Sequence, residues 1–443
     1  MRFILLILGL LLRASSNALC QMWPNTPGVQ TSRLQMPQIP TFGNDENQQL
    51  KVSQQTQAAQ AQITRYHAEN AQREQRLLEA QQAIAELRRD GAEIEKRRNE
   101  QIESDTRFEA LNKSQYEAAY QSLRAMLEHQ QPADLRQAVF LVENTYMANQ
   151  SNYAGFNKAI EDLAGVCRDL AGVNSTATSR FMALHRLMSD TIAIGYADQH
   201  TGQHLPYAYD FVDFEGKQNY SQQFVHKLLA TNSGQCHSLP LLYKLIADAL
   251  DVKTYLSVAP NHMYIQIKDD RGELFSYETT NHHFVTDAYY MSTGFIKMAA
   301  LKHRTYLDTL SRQETLASSV FDLALGYENR FGRDAFMHKC ALLGLRYYPH
   351  SALGRMIVYN TTLAKFTSAW AAAGKPTRKQ IEQNHSSLEA LWQDVERYQR
   401  AINESGHEEM PPEQYARWLQ DMNQEQTRVS MQQAARFEQS IPK

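Results

Sequence analysis

The sequence predicts an α+β protein in which helices flank one small antiparallel sheet. Apolar residues recur at three- and four-residue spacing across residues 113–196 and again after residue 311, which is typical of amphipathic helices. Between these regions lie three short apolar segments, and the last two are joined by turn-forming residues. A proline-free stretch rich in Gln, Ala, Glu and Arg at residues 49–112 predicts a long N-terminal helix.

The composition is that of a globular protein with little net charge. Of 443 residues, 43% are hydrophobic and 21% are charged, and the formal net charge is −3 at pH 7. A chain of this length suffices for two or three domains of roughly 100–200 residues each. Because there is no basic excess, we predict no nucleic-acid partner.

The N-terminus has the features of a secretory signal peptide. A positive charge precedes one apolar run, Phe3 to Leu12, which is shorter than the ~20 residues that a bilayer span needs. Small and polar residues follow, with cleavage expected after Ala18 or Cys20. We predict a signal peptide at residues 1–20 and an exported protein, periplasmic or secreted, with no membrane span. A lipid anchor on Cys20 is less favoured, because Leu19 precedes it where bacterial lipoproteins carry a small residue.

Two segments separate the signal peptide from the first domain. Residues 21–48 contain several prolines and no periodicity, which predicts a linker. Residues 49–112 predict a Gln-rich helix with a short heptad seam formed by Leu77, Ala80, Ile84 and Leu87. An oligomerising coiled coil and a solvated helical spacer both fit this seam, and both interpretations stay open.

Residues 113–310 are predicted to form one domain that begins with helices. Helical periodicity covers residues 133–149, a helix capped by Ser151, and a helix over 177–196. Residues 199–222 are polar and aromatic and are predicted to be irregular. The remaining predicted elements are a short helix at Gln223 to Leu229, a helix opening at Cys236 with Pro240 in its first turn, and strands at Thr254–Ala259, His262–Lys268 and Glu273–Glu278.

The loop between the last two strands decides which side chains share a face. A three-residue loop, Asp270-Arg271-Gly272, would place Gly272 in the left-handed position and pair Asp269 with Glu273. His262 and Glu278 then lie on the same face. A loop of two or four residues would put them on opposite faces, because a one-residue slip flips every side chain. We predict an odd-length loop.

A thiol, an imidazole and a carboxylate thus come from three consecutive elements: Cys236, His262 and Glu278. A cysteine attacks a carbonyl carbon only as thiolate, and its unperturbed pKa is near ~8.5. A helix N-terminus and a neighbouring histidine both favour the thiolate, and the acid orients the imidazole. These residues are the predicted catalytic set.

The same residues resemble the transglutaminase-like superfamily. The resemblance rests on Gly234-Gln235-Cys236 opening a helix, His262 heading a strand and Glu278-Thr279-Thr280 ending the next, and it covers roughly residues 130–290. It implies a papain-like α+β core with Cys236 as nucleophile, His262 as base and Glu278 as orienting acid. The implied activity is that of a thiol peptidase, amidase or transamidase, a hydrolase or transferase that forms an acyl-thioester on protein or peptide substrates, with the cell envelope as their natural source. No cofactor and no metal are implied, and no acidic loop suits calcium.

Two departures from the superfamily pattern concern the site itself. Glu278 stands where the superfamily usually has Asp, which lengthens the side chain by one methylene, and His237 replaces an aromatic residue after the cysteine. The oxyanion donors would include the Cys236 amide, with Gln223 or Asn232 as a candidate side-chain partner.

The C-terminal part is predicted to be helical throughout. Residues 311–375 resemble tetratricopeptide repeats, with one repeat and part of a second at residues 351–373, which implies a protein partner on these helices. Residues 376–443 are polar and predict helices broken at Pro411-Pro412. The long Gln-rich flanks and the altered acid and subsite favour a second hypothesis, that the chain is a non-catalytic interaction scaffold of the cell envelope.

The other cysteines and histidines are predicted to be structural. Cys167 and Cys340 lie in apolar helical patterns, and loss of Cys20 with the signal peptide would leave an odd number of thiols. His282 and His283 are adjacent, so they would point to opposite faces of a strand and would not share a metal. His185 and His204 are also expected to be ordinary.

Overall fold

The computed structural model describes residues 106–195, 201–217, 219–293 and 296–408, a subset of the helical residues between 57 and 90, and residues 417, 421 and 424. The predicted signal peptide with Cys20, the linker at 21–48 and the Pro411-Pro412 break lie outside the described residues. Within them the fold is α+β, mostly helical, with a small antiparallel sheet. None of the described helices is long and apolar enough to cross a membrane.

Four helices follow the helical residues between 57 and 90, and side-chain caps fix where three of them begin. The carboxyl or hydroxyl oxygens of Asp134 and Thr176, and the amide oxygen of Asn152, accept hydrogen bonds from backbone N–H groups of the first turns. The predicted cap Ser151 is therefore wrong by one residue; its hydroxyl instead lies 2.8 Å from His226 Nε2. The helices are α1 Thr106–Leu127, α2 Leu135–Tyr146, α3 Tyr153–Ala171 and α4 Ala177–Ser189.

The helix predicted over 177–196 is too long. It ends at Ser189, since Asp190 is extended at φ −109° and ψ 150°, and the alternating Ile residues that follow form strand β1, Ile192–Gly195. This strand pairs antiparallel with β2, Thr201–His204, so the segment predicted to be irregular contains regular structure. A second small pair is parallel and joins β3, Ala208–Tyr209, to β4, Ser233–Gly234.

The helix predicted at Gln223 to Leu229 is present but displaced by two residues. A 3₁₀ turn at Tyr220–Gln223 precedes α5, Val225–Thr231, which ends at Asn232 in the left-handed conformation. After β4, α6 spans Ser238–Ala249. Its apolar residues join the main hydrophobic core with those of α3 and α5.

The main sheet has four antiparallel strands in sequence order: β5 Thr254–Ala259, β6 His262–Lys268, β7 Leu274–Glu278 and β8 His283–Val285. Ile265 pairs with Tyr277 and Lys268 with Leu274, and the Asp269 amide donates to the Glu273 carbonyl at 2.9 Å. The loop therefore has three residues, and Gly272 adopts φ +86°. The predicted register is confirmed, whereas β8 was not predicted.

The C-terminal helices pack through small residues. A Cβ atom on Gly344 would lie 2.2 Å from the Phe321 ring, and one on Gly354 would lie 2.6 Å from it, so glycine permits the close approach of three helices. The helices are α7 Asp287–Thr293, α8 Met298–Lys302, α9 Arg312–Phe331, α10 Ala335–Tyr347, α11 Ala352–Ala372, α12 Arg378–Asn384 and α13 Ser386–Glu404. A non-helical stretch around Pro376 separates α11 from α12.

The N-terminal heptad seam packs on the domain. Leu77, Ala80, Ile84 and Leu87 are buried in the main core. Arg76 holds the same helix to α3, with its guanidinium 2.7 Å from the Asp169 carboxylate. A solvated spacer is therefore the wrong interpretation of these positions, because their apolar side chains are covered by the chain's own helices.

Candidate active site

Cys236 lies in a tight turn between β4 and α6. The carbonyl of Gln235 accepts the Leu239 amide at 3.0 Å, and the Gln235 amide donates to the Ser238 hydroxyl at 3.0 Å. A Cβ atom on Gly234 would meet that hydroxyl oxygen at 2.7 Å, so the turn needs glycine there. The regular helix begins at Ser238, two residues later than predicted, which leaves the thiol at the helix entrance. Cys236 is partly exposed.

His262 is the first residue of β6, and its ring is placed between the acid and the thiol. Its Nε2 lies 2.6 Å from Glu278 Oε2, and only 4% of its side chain is exposed. Burial lowers the pKa of His262, but the Glu278 carboxylate and the neighbouring Cys236 sulfur more than offset this and raise it to about 10. Because Nε2 faces Glu278, Nδ1 is the nitrogen left for the thiol. The ring is cationic at neutral pH.

Glu278 is buried and fully engaged. Its Oε1 accepts the amide and the hydroxyl of Thr280 at 3.0 and 2.7 Å, and its Oε2 accepts the hydroxyl of Tyr290 at 2.8 Å in addition to His262. Burial raises the pKa of Glu278, but His262 and Thr280 together hold it below its usual value. The longer glutamate therefore still reaches the histidine, and a threonine two residues later fixes it. Tyr290, which stacks on Tyr264, was not among the predicted site residues.

His237 forms a second histidine–acid pair beside the thiol. Its Nδ1 lies 3.2 Å from the Gln223 carbonyl oxygen, and its Nε2 lies 3.1 Å from the Asp322 carboxylate on α9. Both partners only accept hydrogen bonds, so both ring nitrogens must donate and the ring is an imidazolium. Burial lowers the pKa of His237, but Asp322 raises it, with a net result of about 9. Asp322 was missed from the sequence because it lies on a distant helix.

We expect Asp322→Asn to destabilise the protein by about 1–3 kcal/mol at pH 6, the range for hydrogen bonds to charged groups. The raised pKa of His237 stabilises the fold fully below pH 6.5, and this contribution is lost as pH rises through about 9. Urea unfolding at pH 6 and pH 10 should therefore show a deficit that shrinks at pH 10. Asp394→Asn, which removes an exposed pair with Arg397, is the control with a small effect. An equal deficit at both pH values would contradict the pairing.

The two candidate oxyanion side chains lie in different places. Gln223 lines the cavity that contains Cys236, and its Nε2 donates to the Phe214 carbonyl at 2.6 Å. An amide carries two N–H groups, so a second donor is left. Asn232 donates to the Leu205 carbonyl at 2.7 Å and is not among the described residues that line this cavity. The geometry favours Gln223.

Cys167, Cys340 and three further histidines of the described residues have other surroundings. Cys167 and Cys340 are buried, and burial raises the pKa of both thiols. His282 bonds the Tyr243 hydroxyl and the Tyr207 carbonyl, each at 2.9 Å. His185 bonds Tyr277, and His204 bonds the Leu187 carbonyl. Among the described residues there is no group of three or more His, Cys, Asp or Glu side chains placed to hold a metal.

Cys236 and His262 open into a cavity of about 660 Å³. Val258 and Met263 of β5 and β6 line this cavity. Phe321 of α9 and Met356 of α11, two of the C-terminal helices, line it as well. His407, which follows α13, also lines it and bonds the Tyr306 hydroxyl at 2.5 Å. The C-terminal helices therefore form part of the site's surroundings, which the sequence did not indicate.

Comparison of the chain with protein-family models, with curated proteins and with solved structures found no match. Function must therefore be argued from the geometry of this site.

Proposed function

We propose that the chain is a transglutaminase-like thiol enzyme that acts on amide bonds through an acyl-thioester on Cys236. The observation that carries the proposal is the placement of His262 between the Cys236 thiol and the buried Glu278 carboxylate, with the 2.6 Å contact to the acid. A cationic imidazole beside a thiol favours the thiolate and has a proton to give. A papain-like core and tetratricopeptide-like helices belong to the same proposal.

The chemistry would run in two steps. The Cys236 thiolate attacks the amide carbon, a C–S bond forms, and the carbonyl electrons move to oxygen, with Gln223 as the candidate side-chain donor. The C–N bond then breaks, and His262 gives its proton to the departing amine. Water or a second amine attacks the thioester, the C–S bond breaks, and His262 takes the proton from the attacking group. Hydrolysis and transfer differ only in that nucleophile.

The natural substrates of this enzyme would be proteins or peptides outside the cytoplasm. This part of the proposal rests on the N-terminal sequence, with its positive start and the apolar run from Phe3 to Leu12. Export would place Cys236, a partly exposed free thiol, in an oxidising compartment, where exposed thiols tend to be oxidised or paired unless they have a chemical role.

The pH dependence of Cys236 alkylation tests the proposal. We expect iodoacetamide to label Cys236 in the native protein at pH 5–6, well below the range of free cysteine, whose pKa is near ~8.5. Peptide mass spectrometry assigns the label, and the buried Cys167 and Cys340 serve as internal controls that should stay unlabelled. A rate that rises only as pH approaches 8.5 would favour the non-catalytic scaffold instead.

A further inference from the structure

The cavity beside Cys236 presents more apolar than polar surface, although polar and charged side chains also line it. Its larger apolar residues come from separate parts of the chain: Phe214, Val258, Met263, Leu310, Leu353 and Met356. Its volume of about 660 Å³ lies within the range of roughly 300–1,000 Å³ that is usual for small-molecule sites. The reacting sulfur lies in its wall, so whatever fills the cavity adjoins the bond that the thiol attacks.

The charged groups that line the cavity are already paired with each other or with the chain. Lys217 pairs with Glu215, and His237 pairs with Asp322. His262 pairs with Glu278 behind it. A charged substrate side chain would therefore have to compete with these existing pairs for a partner, and burial of an unpaired charge is costly. An apolar side chain would instead gain from leaving water.

We propose that this cavity is the subsite for a bulky apolar or aromatic side chain next to the carbonyl that Cys236 attacks. The substrate class is then a peptide with Phe-, Leu- or Met-like residues at that position. This inference rests on the proposed function, because it takes Cys236 as the nucleophile. It also gives the C-terminal helices a role, since Leu353 and Met356 on α11 line the cavity.

Peptidyl chloromethyl ketones test the preference directly. The thiolate displaces chloride, a C–S bond forms, and the C–Cl bond breaks. We compare Ala-Ala-Phe, Ala-Ala-Leu, Ala-Ala-Lys and Ala-Ala-Asp probes on the full chain and divide each rate at Cys236 by the iodoacetamide rate of the same protein. The Phe and Leu probes should react at least about tenfold faster than the Lys and Asp probes, in line with the discrimination typical of apolar pockets.

A positive charge introduced on α11, where it lines the cavity, should weaken the preference for the Phe probe. In Met356→Lys we expect the Phe-to-Asp rate ratio to fall by about tenfold or more, because the lysine disfavours the ring and offers the acid a partner. Thr367→Lys places the same charge on the exposed face of α11 and should leave the ratio unchanged.

Several outcomes would overturn the inference. Equal normalised rates for the four wild-type probes, or a Met356→Lys ratio that matches wild type, would mean that the cavity does not select the side chain. If Cys236 has the pH profile of a free cysteine but still reacts faster with the Phe probe, the proposed enzyme function is contradicted and the apolar subsite is supported. If Cys236 is alkylated at pH 5–6 but reacts equally with the four probes, the subsite is contradicted and the enzyme function is supported.

Discussion

Replacing His262 by alanine is expected to lower the rate of Cys236 alkylation at pH 6 by about 100- to 300-fold. The largest possible decrease in rate is set by the thiol itself, since a cysteine with a pKa near ~8.5 is about 1 part in 300 thiolate at pH 6. In the proposed site the His262 ring, whose pKa is raised to about 10, supplies the positive charge with which a thiolate pairs. Without the ring, Cys236 should return to the profile of an ordinary thiol.

Turnover of an amide substrate should fall further, because the ring also supplies the proton for the departing amine. General acid–base catalysis contributes on the order of 10²–10⁴-fold, so the loss should be of this size. The measurement is alkylation against pH by mass spectrometry, followed by single-turnover acylation with a reactive peptide amide. The alkylation experiment separates thiolate formation from proton transfer.

The same experiment reports whether the variant folds. Cys167 and Cys340 are buried, so their labelling would reveal unfolding, and their protection would show that the fold is intact. His338→Ala is the matched control, because this half-buried histidine makes one side-chain hydrogen bond, to Thr361, and is not among the cavity-lining residues. An intact His262→Ala variant with the wild-type pH profile would contradict the ion pair.

The hairpin was predictable because its loop chemistry is local. Asp269 to Gly272 specify a three-residue turn, and strand parity then places His262 and Glu278 on one face without any knowledge of distant contacts. The helix end at Ser189 was not predictable in the same way. Apolar spacing continues through Ile192 and Ile194, and the same residues suit a helix or a strand until tertiary pairing with residues 201–204 decides.

The site residues that were not predicted from the sequence are placed by long-range packing. Asp322 lies 85 residues from His237 and reaches it only because α9 packs beside the Cys236 turn. Tyr290 lies in a short helix after β8, a strand that the sequence did not reveal. Periodicity identifies a helix and its buried face, but it does not say which polar residue on that helix will meet a given histidine. The three residues of the proposed chemistry thus come from the sequence pattern, whereas Asp322 and Tyr290 emerge only from the structure.

Replacing Glu278 by glutamine is expected to destabilise the fold by about 3–5 kcal/mol at pH 6, the usual cost of removing one partner of a buried ion pair. Glutamine has the shape of glutamate and keeps the hydrogen bonds from Thr280. The decrease in the free energy of unfolding therefore reports the loss of the negative charge. The His262 ring would either keep its proton without a buried counter-ion or lose the proton and its stabilising effect on the thiolate. Low-pH alkylation of Cys236 should weaken with it.

The pH dependence of this loss follows from the direction of the two pKa shifts. The raised pKa of His262 stabilises the fold fully below its ordinary 6.5, and the contribution is lost as pH rises through about 10. The lowered pKa of Glu278 stabilises the fold above its ordinary 4.5, and the contribution is lost as pH falls through the folded value. The difference between wild type and Glu278→Gln should therefore be largest between pH 4.5 and 6.5 and smaller at pH 10.

Urea unfolding at pH 6 and pH 10, with alkylation on the same samples, measures both effects. Glu273→Gln is the matched control, because this glutamate lies in the same hairpin with its side chain exposed. Glu278→Asp keeps the charge on a shorter side chain and should retain part of the low-pH alkylation that Glu278→Gln loses. If Glu278 had only a structural role, Glu278→Gln and Glu278→Asp proteins of equal stability would show the same pH dependence of Cys236 alkylation. Only a carboxylate that acts through His262 ties the charge at position 278 to the reactivity of Cys236.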